Sequence, residues 1–235
     1  MSFFSRKQWK SEQAVRNSYN AIAGSFEATR RCFWPEFSLL GEYIKDNDKI
    51  LDLACGSGRL VDYLDSQKLD VDYYGLDSSD GLLESAKNNH QSLADKFTLG
   101  QMTVLPYADN YFDVITCFAG FHHLANKKER LQALIEMKRV LKPQGKIVMT
   151  NWYLWTWKFL PNFLKAIFTF TFFKDLLIAW KGEKDKLIWR YYHAFTTREL
   201  NQLFSAVGLE VKTTIFMNKK GSKRNLLTVA SKIFE

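Results

Sequence analysis

Cysteine is scarce in this chain. The three present, Cys32, Cys55 and Cys117, are far apart, odd in number and never spaced as C-x-x-C. That argues against a disulfide framework and against a metal site built from protein ligands, and it favours a reducing cytoplasm. The opening M-S-F-F-S-R-K-Q-W-K lacks a long apolar run, so no secretory signal peptide is expected there. Internal repeats and low-complexity tracts are missing too. The most apolar region, 152–192, is broken by Lys158, Pro161, Asn162, Lys165, Lys174 and Asp175, which argues against a membrane span.

The chain does have core material and positive charge. Apolar residues make up 46% of its 235 positions, enough for one large domain or one domain with an elaborated cap. Net charge is +8, which favours an acidic partner such as RNA or an anionic membrane. Strand-like and helix-like patterns alternate, so the class is α/β. Strands are expected near 49–54, 71–77, 96–100, 112–119 and 144–151, with helices near 58–66, 80–90 and 127–141. Residues 11–29 read as a helix, and Pro35 opens another through Ile44. After the aromatic region come a helix at 197–207, capped by Thr196 or Thr197, and strands at 209–216 and 225–231.

The stretch I-L-D-L-A-C-G-S-G-R-L, Ile50 to Leu60, runs a buried strand into a glycine turn, and Asp77 ends the next strand. A glycine loop lets a ligand approach the backbone, and an acid after the second strand can hold a ribose diol. The third glycine of the dinucleotide fingerprint is missing, a point against a nicotinamide cofactor.

D-L-A-C-G-S-G resembles motif I of class I S-adenosylmethionine-dependent methyltransferases, the methyltransferase type 11 domain. G-L-D-S-S at 75–79, L-P-Y-A-D-N-Y-F-D-V-I at 105–115 and R-V-L-K-P-Q-G-K at 139–146 extend that resemblance over 45–152. It implies S-adenosylmethionine as cofactor and a Rossmann-like, seven-stranded, mostly parallel sheet whose last strand is antiparallel. A single domain is expected over 1–235: an N-terminal helical cap (1–45), a cofactor core (46–152), an aromatic-rich helical insertion or lid (153–192), and a last helix with two strands (193–235). Gly56 and Gly58 would let the chain pass close to the cofactor, and Ala54 lies in the same loop. Asp52 would orient the loop or reach the methionine amine, and Asp77 would take both ribose hydroxyls. Ser78 would sit beside the adenosine, Gln101 and Met102 over the adenine, and Phe118 or Ala119 on the methyl-donor side.

Three further clusters bear on the acceptor: 15–35, ending T-R-R-C-F-W-P; F-A-G-F-H-H-L at 118–124; and R-Y-Y-H-A-F-T-T-R-E-L at 190–200. The first and third resemble the tRNA wobble-uridine carboxymethyl methyltransferases, which esterify 5-carboxymethyluridine. A carboxylate is already a nucleophile at neutral pH, so the enzyme needs alignment and water exclusion rather than a base. Arg30, Arg190, His122 and His123 are candidates to hold the acid, and Tyr191 and Trp34 to stack on bases, at about 1–3 kcal/mol per base. Each has a plainer reading. The histidines can be a generic cap, Arg30 can bind the cofactor carboxylate, Trp34-Pro35 can staple helices, and Tyr192 or His193 can be core. Lys212, Lys219, Lys220, Lys223 and Arg224 fit either tRNA phosphates or a solvated loop. Segment 152–180 fits a lid, a partner surface, a membrane-surface helix or packing on its own domain, membrane contact being the less favoured.

The implied partners are tRNA and, as in eukaryotic members of that family, a small zinc-binding activator. The alternative function is methylation of a small quinone-like or carboxylic metabolite. A non-catalytic binding scaffold is the third reading, and the intact G-S-G loop and Asp77 argue against it.

Overall fold

Short apolar runs form the sheet. In the computed structural model, which describes residues 11–29, 33–168, 173–182, 187–219 and 223–233, the first five are β1 (Lys49–Leu53), β2 (Asp72–Asp77), β3 (Phe97–Leu99), β4 (Phe112–Phe118) and β5 (Leu141–Trp152). All five run parallel. β8 (Leu209–Lys219) and β9 (Lys223–Lys232) complete a sheet of order β3-β2-β1-β4-β5-β9-β8, with β9 antiparallel to both neighbours. This is the expected mostly parallel, seven-stranded architecture.

Helices cover both faces, which explains why the central strands are apolar at successive positions. Ile50, Val114 and Val148 pack with Leu60 and Leu64 of α3 (Arg59–Ser66) and Leu83 and Ala86 of α4 (Asp80–Asn89). Leu51, Ile115 and Met149, one residue on, pack with Leu134 and Met137 of α5 (Lys127–Val140) and Leu200 and Phe204 of α7 (Thr197–Ala206). Truncating a fully buried side chain such as Leu134 would cost about 2–5 kcal/mol. Side chains start these helices: Ser79 caps α4, Asn126 caps α5, and Thr196, rather than Thr197, caps α7.

Two expectations change in detail. The N-terminal helix is divided into α1 (Glu12–Asn20) and α2 (Ala23–Ala28), because Ala21 caps α1 and Ile22 turns inward to full burial. The segment opened by Pro35 is a 3-10 helix, Pro35–Glu42. The insertion needs a larger correction. Among the described residues of the insertion only α6 (Leu160–Phe168) is an α-helix, and an antiparallel hairpin, β6 (Asp175–Lys181) and β7 (Leu187–His193), comes after it in the chain. L-I-W-R-Y-Y-H is rich in aromatic residues and buries its last four positions in succession, as a strand covered on both faces does.

Candidate active site

The glycine loop follows β1, where open parallel sheets bind ligands at strand C-termini. Ala54, Gly56 and Gly58 all have positive φ, at 57°, 57° and 82°. The two glycines differ in purpose. A Cβ at Gly58 would lie 2.7 Å from the His90 ring and 3.2 Å from Phe97, so that glycine serves close packing at the start of α3. A Cβ at Gly56 would meet no protein atom within 4 Å, and Gly56 lines a cavity of about 140 Å³. Gly58 does not line it.

Asp77 braces this loop. One carboxylate oxygen accepts the Gly56 N–H at 2.9 Å and the other accepts the Ser79 N–H at 2.8 Å. With the Ser78 N–H also bonded to it, the carboxylate keeps one acceptor site for a ligand. Burial raises the Asp77 carboxyl above its ordinary range, and the N–H bonds of Ser79, Gly56 and Ser78 oppose that rise. Asp52 accepts from Thr116 at 2.7 Å and from the Tyr73 hydroxyl at 3.0 Å. Burial lifts it to about 7.

Ser78, Gln101, Met102, Phe118 and Ala119 line the same cavity. Phe118 is wedged edge-on against Phe37, ring centres 4.8 Å apart, and against Trp34 at 6.1 Å. These are the expected cofactor positions, gathered in one place together with Asp52, Ala54, Gly56 and Asp77.

Of the residues expected to meet the acceptor, His122, His123, Trp34 and Arg190 also line the cavity. His122 is fully buried and accepts the Trp152 N–H through Nδ1 at 3.4 Å, so its proton sits on Nε2, which has no partner among the described residues. His123 donates from Nδ1 to the Tyr191 carbonyl at 2.7 Å, and its Nε2 accepts the Tyr19 hydroxyl at 2.7 Å. Burial holds His122 well below its ordinary value and His123 at about 3. Both rings are neutral.

Arg190 is 2% exposed. It donates to the Tyr19 hydroxyl at 3.4 Å and lies 4.8 Å from the Trp180 ring centre and 5.3 Å from that of Tyr192. No carboxylate pairs with it among the described residues, and its Nε is unpartnered. A buried cation without an anion is costly, and it invites one.

Tyr191 is corrected. Residues alternate across a strand, so Arg190 and Tyr192 face the cavity while Tyr191 and His193 face away. The Tyr191 hydroxyl donates to Asp175 at 2.6 Å and accepts from Arg130 at 3.1 Å, inside a buried network, and cannot stack on a substrate. Arg30 lies outside the described residues, as do Lys220 of the last hairpin and Cys32. Sequence reasoning missed Tyr192, Tyr19, Glu12 and Trp152 in the lining. The signal for Tyr192 was the period of two from Arg190. For Glu12, Val15 and Tyr19 it was helical spacing on one face of α1.

A sheet of this order, with a glycine cradle after β1 and a carboxylate ending β2, defines a methyl-transfer fold with a nucleoside cofactor. The methyltransferase-domain family matches residues 51–149. A putative methyltransferase of Encephalitozoon cuniculi is 30% identical over 205 residues, 85% of this chain and 89% of that protein. The chain belongs to the class I S-adenosylmethionine-dependent methyltransferases, and S-adenosylmethionine is its cofactor.

Other relatives point in two directions. The tRNA (carboxymethyluridine(34)-5-O)-methyltransferase of Arabidopsis thaliana is 30% identical over 138 residues, 59% of this chain but 32% of that protein. The chain thus spans about a third of that relative's length. The ubiquinone/menaquinone biosynthesis C-methyltransferase UbiE of Cupriavidus pinatubonensis is 27% identical over 84% of this chain and 82% of that protein. Among solved structures, a methyltransferase of Methanosarcina mazei superposes with TM-score 0.70 at 21% identity, covering 86% of this chain and 99% of that one. The methyltransferase in a complex with the Haloferax volcanii Trm112 activator superposes with TM-score 0.66 at 18% identity, covering 94% and 98%. At these identities the two superpositions show the fold alone.

Proposed function

We propose that this enzyme methylates a carboxylate, that of 5-carboxymethyluridine at the tRNA wobble position, to form a methyl ester. The observation that carries this reading is Arg190, a buried guanidinium facing the cavity with no carboxylate partner among the described residues. Gly56 and Asp77 fit the cofactor, since one leaves open space and the other leaves an acceptor site. Ala54, Ser78, Gln101, Met102 and Phe118 would complete its seat, with Asp52 held in the lining by Thr116 and Tyr73. Bound S-adenosylmethionine supplies a methyl group on a sulfonium.

The chain's own residues then have three tasks. Arg190, held by Tyr19, anchors the acceptor's acid and leaves one oxygen free. Trp34, Phe118, Trp152 and Tyr192 exclude water. His122 and His123 orient rather than take protons, since burial makes both weak bases. A carboxylate needs no base, so this site suits an ester-forming reaction. A tRNA partner, a cytoplasmic location and room for a small activator subunit belong to the same reading.

A second reading, a quinone-like small acceptor, is favoured by the apolar cavity walls and by the Cupriavidus relative. An aromatic carbon must shed a proton after methylation, which the weakly basic histidines serve poorly. Labelled cofactor is supplied to a cell extract, and label is followed into RNA and small-molecule fractions. The tRNA reading expects label in RNA, as a base-labile ester that Arg190→Ala abolishes while cofactor binding persists. Label confined to the lipid-soluble fraction, or an unchanged methyl-ester nucleoside pool in a deletion strain, would reject it.

A further inference from the structure

Helix α6 is apolar on two sides. Its inner side, Phe163 and Ala166, packs with Leu154, Leu176 and Tyr192. Its outer side carries Leu160 and Leu164, and Trp157 just before it is 88% exposed. At ~100° per residue, Leu160 and Leu164 lie roughly 110° round the helix from Phe163 and Ala166, so the apolar stripe is wider than the described residues cover. None of the three outward residues lines the cavity, so their role is separate from the acceptor.

We propose that Trp157, Leu160 and Leu164 dock the enzyme on an anionic lipid surface, with Lys158 and Lys165 against the headgroups. Charge selects this occupant. No Asp or Glu stands between Glu136 and Asp175, and both lysines are exposed beside the apolar residues. Tryptophan suits the boundary between acyl chains and headgroups, because one side of the indole is apolar and the other donates a hydrogen bond. RNA would call for more cations and stacked rings, and two outward leucines give it nothing. No helix among the described residues is long and apolar enough to cross a membrane, so the contact is peripheral, with α6 lying in the interface.

Co-sedimentation of the full chain with phosphatidylcholine vesicles, with and without phosphatidylserine, tests this. The parent protein should pellet with the mixed vesicles and stay in solution with the neutral ones. Trp157→Ser/Leu164→Ser keeps the net charge and should abolish pelleting, which separates docking from the general attraction of a basic protein. Lys158→Gln/Lys165→Gln should weaken binding about 25-fold, about 5-fold for each lysine. Calorimetry should show unchanged S-adenosylmethionine affinity in both variants, which confirms their fold. Trp157→Ser alone serves if the double variant fails that check. Four outcomes overturn the proposal: no pelleting of the parent, equal pelleting with neutral vesicles, full pelleting of the serine variant, or a serine variant that loses self-association or tRNA binding instead of lipid binding.

Discussion

Tyr19 donates its hydroxyl proton to His123 Nε2 across 2.7 Å. The direction is set by the other ring nitrogen, which gives its proton to the Tyr191 carbonyl. The same Tyr19 oxygen accepts from Arg190. One hydroxyl therefore ties α1 to the turn after β4 and to Arg190 on β7.

Tyr19→Phe should loosen that cation without touching the cofactor. The acceptor KM is expected to rise about tenfold, equivalent to ~1.4 kcal/mol of lost binding. S-adenosylmethionine affinity should hold. His123 Nε2 is left buried without a donor, so stability should fall by about 1–3 kcal/mol. Steady-state kinetics with each substrate varied, alongside urea unfolding, reads all three. A rise in cofactor KM instead would place Tyr19 in the wrong subsite.

Asp77→Asn changes the other half of the cavity. Its two oxygens hold the Gly56 and Ser79 N–H groups, and an amide can accept with only one of its two heads. The amide also loses the charge that strengthens any bond to a diol. Cofactor affinity should drop by about 10- to 100-fold, on the basis of 1.5–3 kcal/mol for a hydrogen bond to a charged group. Calorimetric titration measures this directly, and an unchanged affinity would remove Asp77 from the cofactor site.

The cofactor half was largely legible because its chemistry is local in sequence. The G-S-G loop, Asp77 and the ends of β3 and β4 each follow a short apolar strand that can be read directly. The acceptor half was less legible because it is assembled from α1, the turn after β4 and a hairpin far down the chain. Arg190 was identified, but its strand was read as part of a helical insertion. With a helical period Tyr191 looks as available as Arg190. With the strand's period of two it faces the opposite way, and Tyr192 takes the wall.

Tyr191→Phe distinguishes those two placements. Its hydroxyl joins Asp175 to Arg130 in a buried network in which His193 also bridges Asp175 and Glu199, at 2.8 Å to each. Removing it should cost about 1–3 kcal/mol of stability, because buried charged partners lose a bond. The acceptor KM and kcat should stay within about twofold, under 0.5 kcal/mol. A large KM effect with normal stability would restore Tyr191 to the acceptor site.

Asp52 gives the fold a pH dependence of definite sign. Burial raises its carboxyl to about 7, against the lowering effect of Thr116 and Tyr73, and the Asp77 charge adds to the rise. In the unfolded chain it titrates near ~4. Between these values the folded state keeps a proton that the unfolded state has released, so its contribution is complete below the unfolded pKa and is lost as pH rises to about 7. His123, held at about 3 by burial, acts in the opposite sense and weakens the fold as pH drops below its unfolded value. His122 is displaced in the same direction as His123. The two effects overlap in the parent protein, so the informative quantity is the stability of the parent minus that of Asp52→Asn. Urea unfolding across this range should show the difference falling steadily by a few kcal/mol from about pH 4 to about pH 7. A difference that does not change with pH would mean that Asp52 stays ionised beneath the glycine loop throughout.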